Sequence, residues 1–106
     1  MANFGAVQSF NVTGLCATLT STDVSDYTSN IEGYTEDEVG FRMFTWRNNA
    51  GLPIKTDTFT DGTKTSSVAI NLLTYNLSCT LDVFFKEPLN LGFQAQQTFN
   101  IACLLV

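Results

Sequence analysis

Tyr75-Asn76-Leu77-Ser78-Cys79-Thr80-Leu81-Asp82-Val83-Phe84-Phe85 carries an apolar side chain at every odd position and, as far as Asp82, a polar one at every even position. That period of two marks a strand with one face in a core. Leu73 and Thr74 extend the pattern backwards. A connection follows, marked by Pro88 and Gly92, before alternation resumes with Phe93, Ala95, Phe99, Ile101, Cys103 and Leu105 against Gln94, Gln96, Thr98 and Asn100. The two runs read as an antiparallel hairpin. Pairing Leu81 with Phe99 sets Leu77 opposite Cys103 and leaves Cys79 and Cys103 as diagonal neighbours about 7–8 Å apart, beyond disulfide reach.

Upstream, Phe41 to Arg47 has large side chains on both faces, as expected of a strand with a core on one side and a second contact on the other. Asn48-Asn49-Ala50-Gly51 reads as a turn. Ile54 to Thr60 and Thr63 to Leu72 flank Asp61-Gly62, a strong hairpin signal, so a meander is expected over residues 39–72. Ala6 to Thr13 and Leu15 to Thr22, broken at Gly14, complete about seven strands. A helical period of 3.6 is sustained nowhere for ten residues. The predicted fold is one all-β domain over residues 1–106: an antiparallel sandwich, immunoglobulin-like or jelly-roll-like.

One stretch breaks the pattern. Residues 23–38 hold Asp23, Asp26, Glu32, Glu36, Asp37 and Glu38 with Tyr27, Ile31 and Tyr34 between them, and read as a long acidic loop. Within it, Thr35-Glu36-Asp37-Glu38 matches a capping box, predicting one helical turn that Gly40 stops. Amphipathic rings on an irregular loop are the composition of contact surfaces, so Tyr27, Ile31, Tyr34, Glu36, Asp37 and Glu38 are the candidate partner-contact residues. The alternative is that Tyr27 and Tyr34 fold back to cap the open end of the sandwich.

Composition narrows the function classes. Charged residues make up 14% of the 106 positions, against roughly 25% in a typical soluble domain, while Thr, Ser, Asn and Gln fill 35. Such a neutral polar surface is cheap to desolvate, which suits lateral packing in an assembly or contact with sugars. A net charge of −5 with scattered cations argues against nucleic acid. No run reaches the ~18 apolar residues of a membrane helix, and no secretory signal is visible, so a cytosolic protein with reduced Cys16, Cys79 and Cys103 is expected. In that compartment the sequons at Asn11 and Asn76 are chance matches.

Catalytic signals are missing. The chain has no His, no Gly-rich phosphate loop and no metal-ligand spacing, so no cofactor, metal or enzymatic activity is predicted. Cys16, Trp46 and Cys79 occur in the order of the immunoglobulin core trio, and that resemblance implies a sandwich. Trp46 nevertheless lies too far beyond Cys16 for the adjacent strand, and Leu77 stands where the family places its corner tyrosine. The expected function is a non-enzymatic structural or decoration subunit of a large assembly, foremost a virus or bacteriophage particle. Its partners would be copies of itself or other subunits, holding both termini, Met1 to Phe4 and Ala102 to Val106, in order. The alternative is a carbohydrate- or ligand-binding module that uses Tyr27, Tyr34 and Trp46 as stacking platforms.

Overall fold

The computed structural model describes residues 9–13, 21–25, 34–69, 75–87 and 93–103. Cys16, Tyr27, Ile31 and both expected ordered ends, Met1 to Phe4 and 104–106, lie outside the described residues. Among the described residues seven strands form: β1 (Ser9–Thr13), β2 (Ser21–Ser25), β3 (Val39–Arg47), β4 (Pro53–Phe59), β5 (Thr65–Ala69), β6 (Tyr75–Phe85) and β7 (Phe93–Cys103). They make two antiparallel sheets, ordered β1-β2-β5 and β4-β3-β6-β7. The protein is an all-β sandwich. Its strand order matches the immunoglobulin type, except that the fourth strand joins the second sheet.

Alternation builds the core. Leu77, Cys79, Leu81, Val83 and Phe85 of β6 point inward with Ala95, Phe99 and Ile101 of β7 and Phe44 and Trp46 of β3. From the smaller sheet, Val24 is fully buried among them and Val68 packs against them. Phe59 closes one side, its ring edge-on to Phe44 at 6.0 Å.

Three bulges interrupt the larger sheet among the described residues: one leaves Ile54 over between the pairs Trp46–Lys55 and Arg47–Pro53, and two lie at the same level of β6. Val39 pairs with Phe85 and Phe41 with Phe84, leaving Gly40 over; Val83 pairs with Ala95 and Phe84 with Phe93, leaving Gln94 over. Gly40 suits its place because a Cβ there would sit 3.2 Å from the Phe84 carbonyl oxygen. The extra residue puts Phe41 on the outer face while Val39 stays inside. There Phe41 stacks on Phe84 at 4.5 Å.

Local turn chemistry follows expectation. Glu36–Glu38 is a single 3-10 turn, with the Thr35 amide donating to Glu38 Oε1 at 2.9 Å and the Glu38 amide to the Thr35 carbonyl at 3.0 Å. Asn48 Oδ1 accepts from the Ala50 and Leu52 amides, and Gly51 takes the positive φ that this turn requires.

Four expectations are corrected. The first is the hairpin at Asp61-Gly62: β4 belongs to one sheet and β5 to the other. The turn itself forms, since Asp61 Oδ1 accepts from the Thr63 amide and Gly62 has φ 90°; hydrogen bonding from the Thr63 hydroxyl, and then from its amide, holds the Asp61 carboxyl below its ordinary range. Its chain crosses the sandwich because β3 takes β4 as partner while β5 completes the edge beside β2.

Second, the β6–β7 register is offset by two residues. Cys79 pairs with Phe99 and Tyr75 with Cys103, a register that keeps the apolar faces of both strands together as well as the expected one does. The backbones of Cys79 and Cys103 therefore stand about 13 Å apart along the sheet, further still from bridging. Third, the first two strands among the described residues are Ser9–Thr13 and Ser21–Ser25, so Asp23 lies at the centre of a strand instead of opening the acidic loop. Fourth, the buried residue of β2 is Val24, while Trp46 and Cys79 are direct cross-strand partners. The core trio is thus met at two of its three places.

Inner and outer faces of β6 predict unequal costs of truncation. Leu81→Ala should lose about 2–5 kcal/mol, as expected for a buried leucine, and Thr80→Ala on the outer face well under half of that, measured by urea unfolding.

Candidate contact surface

The outer face of the β4-β3-β6-β7 sheet is built in rows. Thr56, Thr45, Thr80 and Thr98 stand in register across all four strands. Thr80 and Thr98 approach at 3.4 Å between hydroxyls, and Arg47 Nη1 donates to Thr80 at 3.3 Å. The neighbouring row is Thr58, Met43, Asp82 and Gln96, in which Gln96 Nε2 donates to Asp82 Oδ1 at 2.7 Å. Along these rows the two charged groups, Arg47 and Asp82, are each hydrogen-bonded to neutral neighbours. Beta propensity selects threonine here, and the pleat aims its hydroxyls outward.

The stacked Phe41 and Phe84 rings bound the rows at one end. At the other lies a shallow concavity of about 260 Å³ walled by Asn48, Asn49, Asn76 and Asn100. An amide offers a donor and an acceptor together, as a sugar hydroxyl does. The face as a whole presents neutral hydrogen-bonding groups with little charge to desolvate.

The acidic segment is turned to internal use. Tyr34 stacks on Phe85 at 4.4 Å, closing the end of the core. Arg42, 1% exposed between Phe59 and Val83, sends Nη2 to both oxygens of Glu36 at 2.7 Å, and Lys64 Nζ reaches the same carboxylate at 3.2 Å. Glu38 is bound to Thr35. Asp37 is exposed. Of the residues expected to make contact, Tyr34, Glu36 and Glu38 therefore hold the fold together, while Tyr27 and Ile31 lie outside the described residues. Trp46 is fully buried and offers no stacking platform.

Inside, Trp46 Nε1 donates to Ser66 Oγ at 2.8 Å, and Ser66 Oγ donates to Asp57 Oδ2 at 2.7 Å. Lys55 Nζ pairs with the same carboxylate oxygen at 3.2 Å and donates to the Ser67 carbonyl. Serine, aspartate and lysine together invite comparison with an activated nucleophile. Ser66 is 3% exposed, however, and its hydroxyl is held between indole and carboxylate, so the grouping is a tie between the sheets. Burial, reinforced by the Asp57 charge and opposed by Arg47, pushes the Cys79 thiol up to about 12, which keeps it protonated and unreactive. Among the described residues no group of three or more His, Cys, Asp and Glu is placed to hold a metal ion, and no helix is long and apolar enough to cross a membrane.

Two outcomes follow. Ser66→Ala strands the Trp46 donor and the Asp57 acceptor, and should cost about 1–3 kcal/mol in urea melts followed by Trp46 fluorescence; a loss below a few tenths would mean that water replaces the hydroxyl. The Cys79 peptide should stay unmodified by iodoacetamide at pH 8 in the native protein and be labelled in urea, as read by peptide mass mapping. Comparison with known proteins finds no family model that matches the chain and no curated protein of similar sequence.

Proposed function

We propose that the protein is a non-enzymatic structural subunit of a large assembly, in the first place a virus or bacteriophage particle, and that it meets its neighbours through the outer face of the four-stranded sheet. The observation that carries this reading is the in-register threonine row of Thr56, Thr45, Thr80 and Thr98, in which Thr56 and Thr98 are exposed, Thr80 is half-buried and Thr45 is buried between its neighbours. Hydroxyls and amides give up water at lower cost than ions and pair with the same kinds of group on a neighbour. The acidic turn is a weaker basis for contact, because Tyr34, Glu36 and Glu38 already have partners within the chain. The small size of the domain and the lack of catalytic signals in its sequence support the particle setting.

A second reading has its own observation. Four asparagine side chains wall the concavity at the end of the same face, an arrangement that suits a carbohydrate better than an apolar ligand.

Sedimentation velocity of the purified protein over rising concentration separates the two. Association is expected in the parent and should be weakened in Gln96→Lys/Thr98→Lys, whose exposed substitutions leave the thermal melt unchanged. A glycan array that lights up with the parent and fails with Asn48→Ala/Asn100→Ala would transfer the function to sugar binding. A parent that is monomeric throughout, or a lysine variant that associates like the parent, would remove the support for face-mediated assembly.

A further inference from the structure

Strand β4 is an edge of its sheet, paired among the described residues with β3 alone. It is also the most open strand described: Pro53, Ile54, Lys55, Thr56 and Thr58 are exposed. Leu52 and Ile54, at 62% and 48%, are the large hydrophobic side chains most open to water among the described residues, and both lie at this edge. An uncovered edge of this kind offers its free N–H and C=O groups to another strand.

We propose that the strand is β4 of a second copy, added antiparallel about a two-fold axis through Thr56. The register is self-complementary. With Thr56 facing the partner's Thr56, the Lys55–Asp57 pair that each chain already makes at 3.2 Å lies antiparallel against the same pair of the other copy, so that Lys55 also faces the partner's Asp57 and Asp57 the partner's Lys55. The ladder runs over Lys55, Thr56 and Asp57, and Ile54, which a bulge leaves without a β3 partner, flanks it opposite the partner's Thr58. The same register carries the threonine row across the axis, so the four-strand face becomes one eight-strand face.

Electrostatics favours this edge for self-contact. Two copies of a chain of net charge −5 repel each other, so their contact must be locally neutral. The β4 edge carries one cation and one anion and meets that condition by itself. A shift of one residue along the strand would set Lys55 against the partner's Thr56 or Thr58 and lose both opposite-charge pairs, and opposite-charge pairs across strands stabilise a sheet. Edge pairing and face contact are separate surfaces, and the inference rests on the reading of the chain as an assembly subunit.

Cysteine cross-linking tests the register. Thr56 and Thr58 are equally exposed, yet on the axis Thr56 lies about 4.5–5.5 Å, Cβ to Cβ, from its own copy, while Thr58 lies about 13 Å from its copy. Under oxidising conditions Thr56→Cys should form a covalent dimer on a non-reducing gel, well above both Thr58→Cys and the parent with its native cysteines. Sedimentation of the parent should show a dimer that weakens with added salt. Equal cross-linking of the two variants, or a parent that stays monomeric up to the highest concentration at which it remains dispersed, would overturn the pairing. The two contacts fail separately. A parent that associates without Thr56→Cys cross-linking ends the edge pairing and leaves face-mediated assembly standing. Cross-linking of Thr56→Cys alongside unchanged association of Gln96→Lys/Thr98→Lys does the reverse.

Discussion

The hydrogen bond from Trp46 to Ser66 joins the two sheets, and much of the architecture depends on it. The four-stranded sheet supplies most of the apolar core, whereas β2 and β5 are built largely from Ser and Thr. A serine-rich sheet covers an apolar one poorly unless its buried hydroxyls are satisfied. Ser66 is satisfied from both directions, by the indole N–H and by the Asp57 carboxylate. This bond also accounts for the crossing of the chain between β4 and β5: Asp57 and Ser66 lie on strands of different sheets, and the turn at Asp61 and Gly62 brings the second over the first.

The opposite requirement, keeping water from the ends of the sandwich, is met with charge. Arg42 sits on the inner face where the pattern of its neighbours Phe44 and Trp46 would place an apolar side chain. A buried guanidinium needs a counter-charge with good geometry. Glu36 provides it from the short helical turn, and Tyr34, just before that turn, covers Phe85. Residues 34–38 thereby cover this end of the core, tied down at Arg42 and Lys64.

With Tyr34, Glu36 and Glu38 partnered within the chain, the surface left for partners is the neutral face of the larger sheet and its β4 edge. They differ in chemistry. The face offers hydroxyls and amides over a wide area, so its contacts are broad and individually weak. The edge offers backbone groups in a fixed direction, with one cation and one anion that define a register. A bulge beside Gly40 brings Phe41 and Phe84 out at one end of the face, giving an otherwise polar surface an apolar boundary.

Alternation along β6 and β7 was legible from the residues, because burial of one face acts on every second side chain of a strand and leaves a local record. The Asn48 turn and the Thr35–Glu38 capping box were legible for the same reason, since their bonds close within a few residues. Partner choice and register are not local. Asp61-Gly62 encodes a turn but does not encode whether the strand beyond it pairs back or crosses to the other sheet; that depended on β3 pairing with β4 and on Ser66 meeting Trp46. The β6–β7 register that separates Cys79 from Cys103 is set by which residues of the two strands meet, and alternation on each strand is satisfied equally by registers two residues apart. The partners of Tyr34 and Glu36 within the chain left no mark in the sequence, because Phe85 and Arg42 come within reach only in the tertiary structure, where the Glu36 side chain stays 40% exposed.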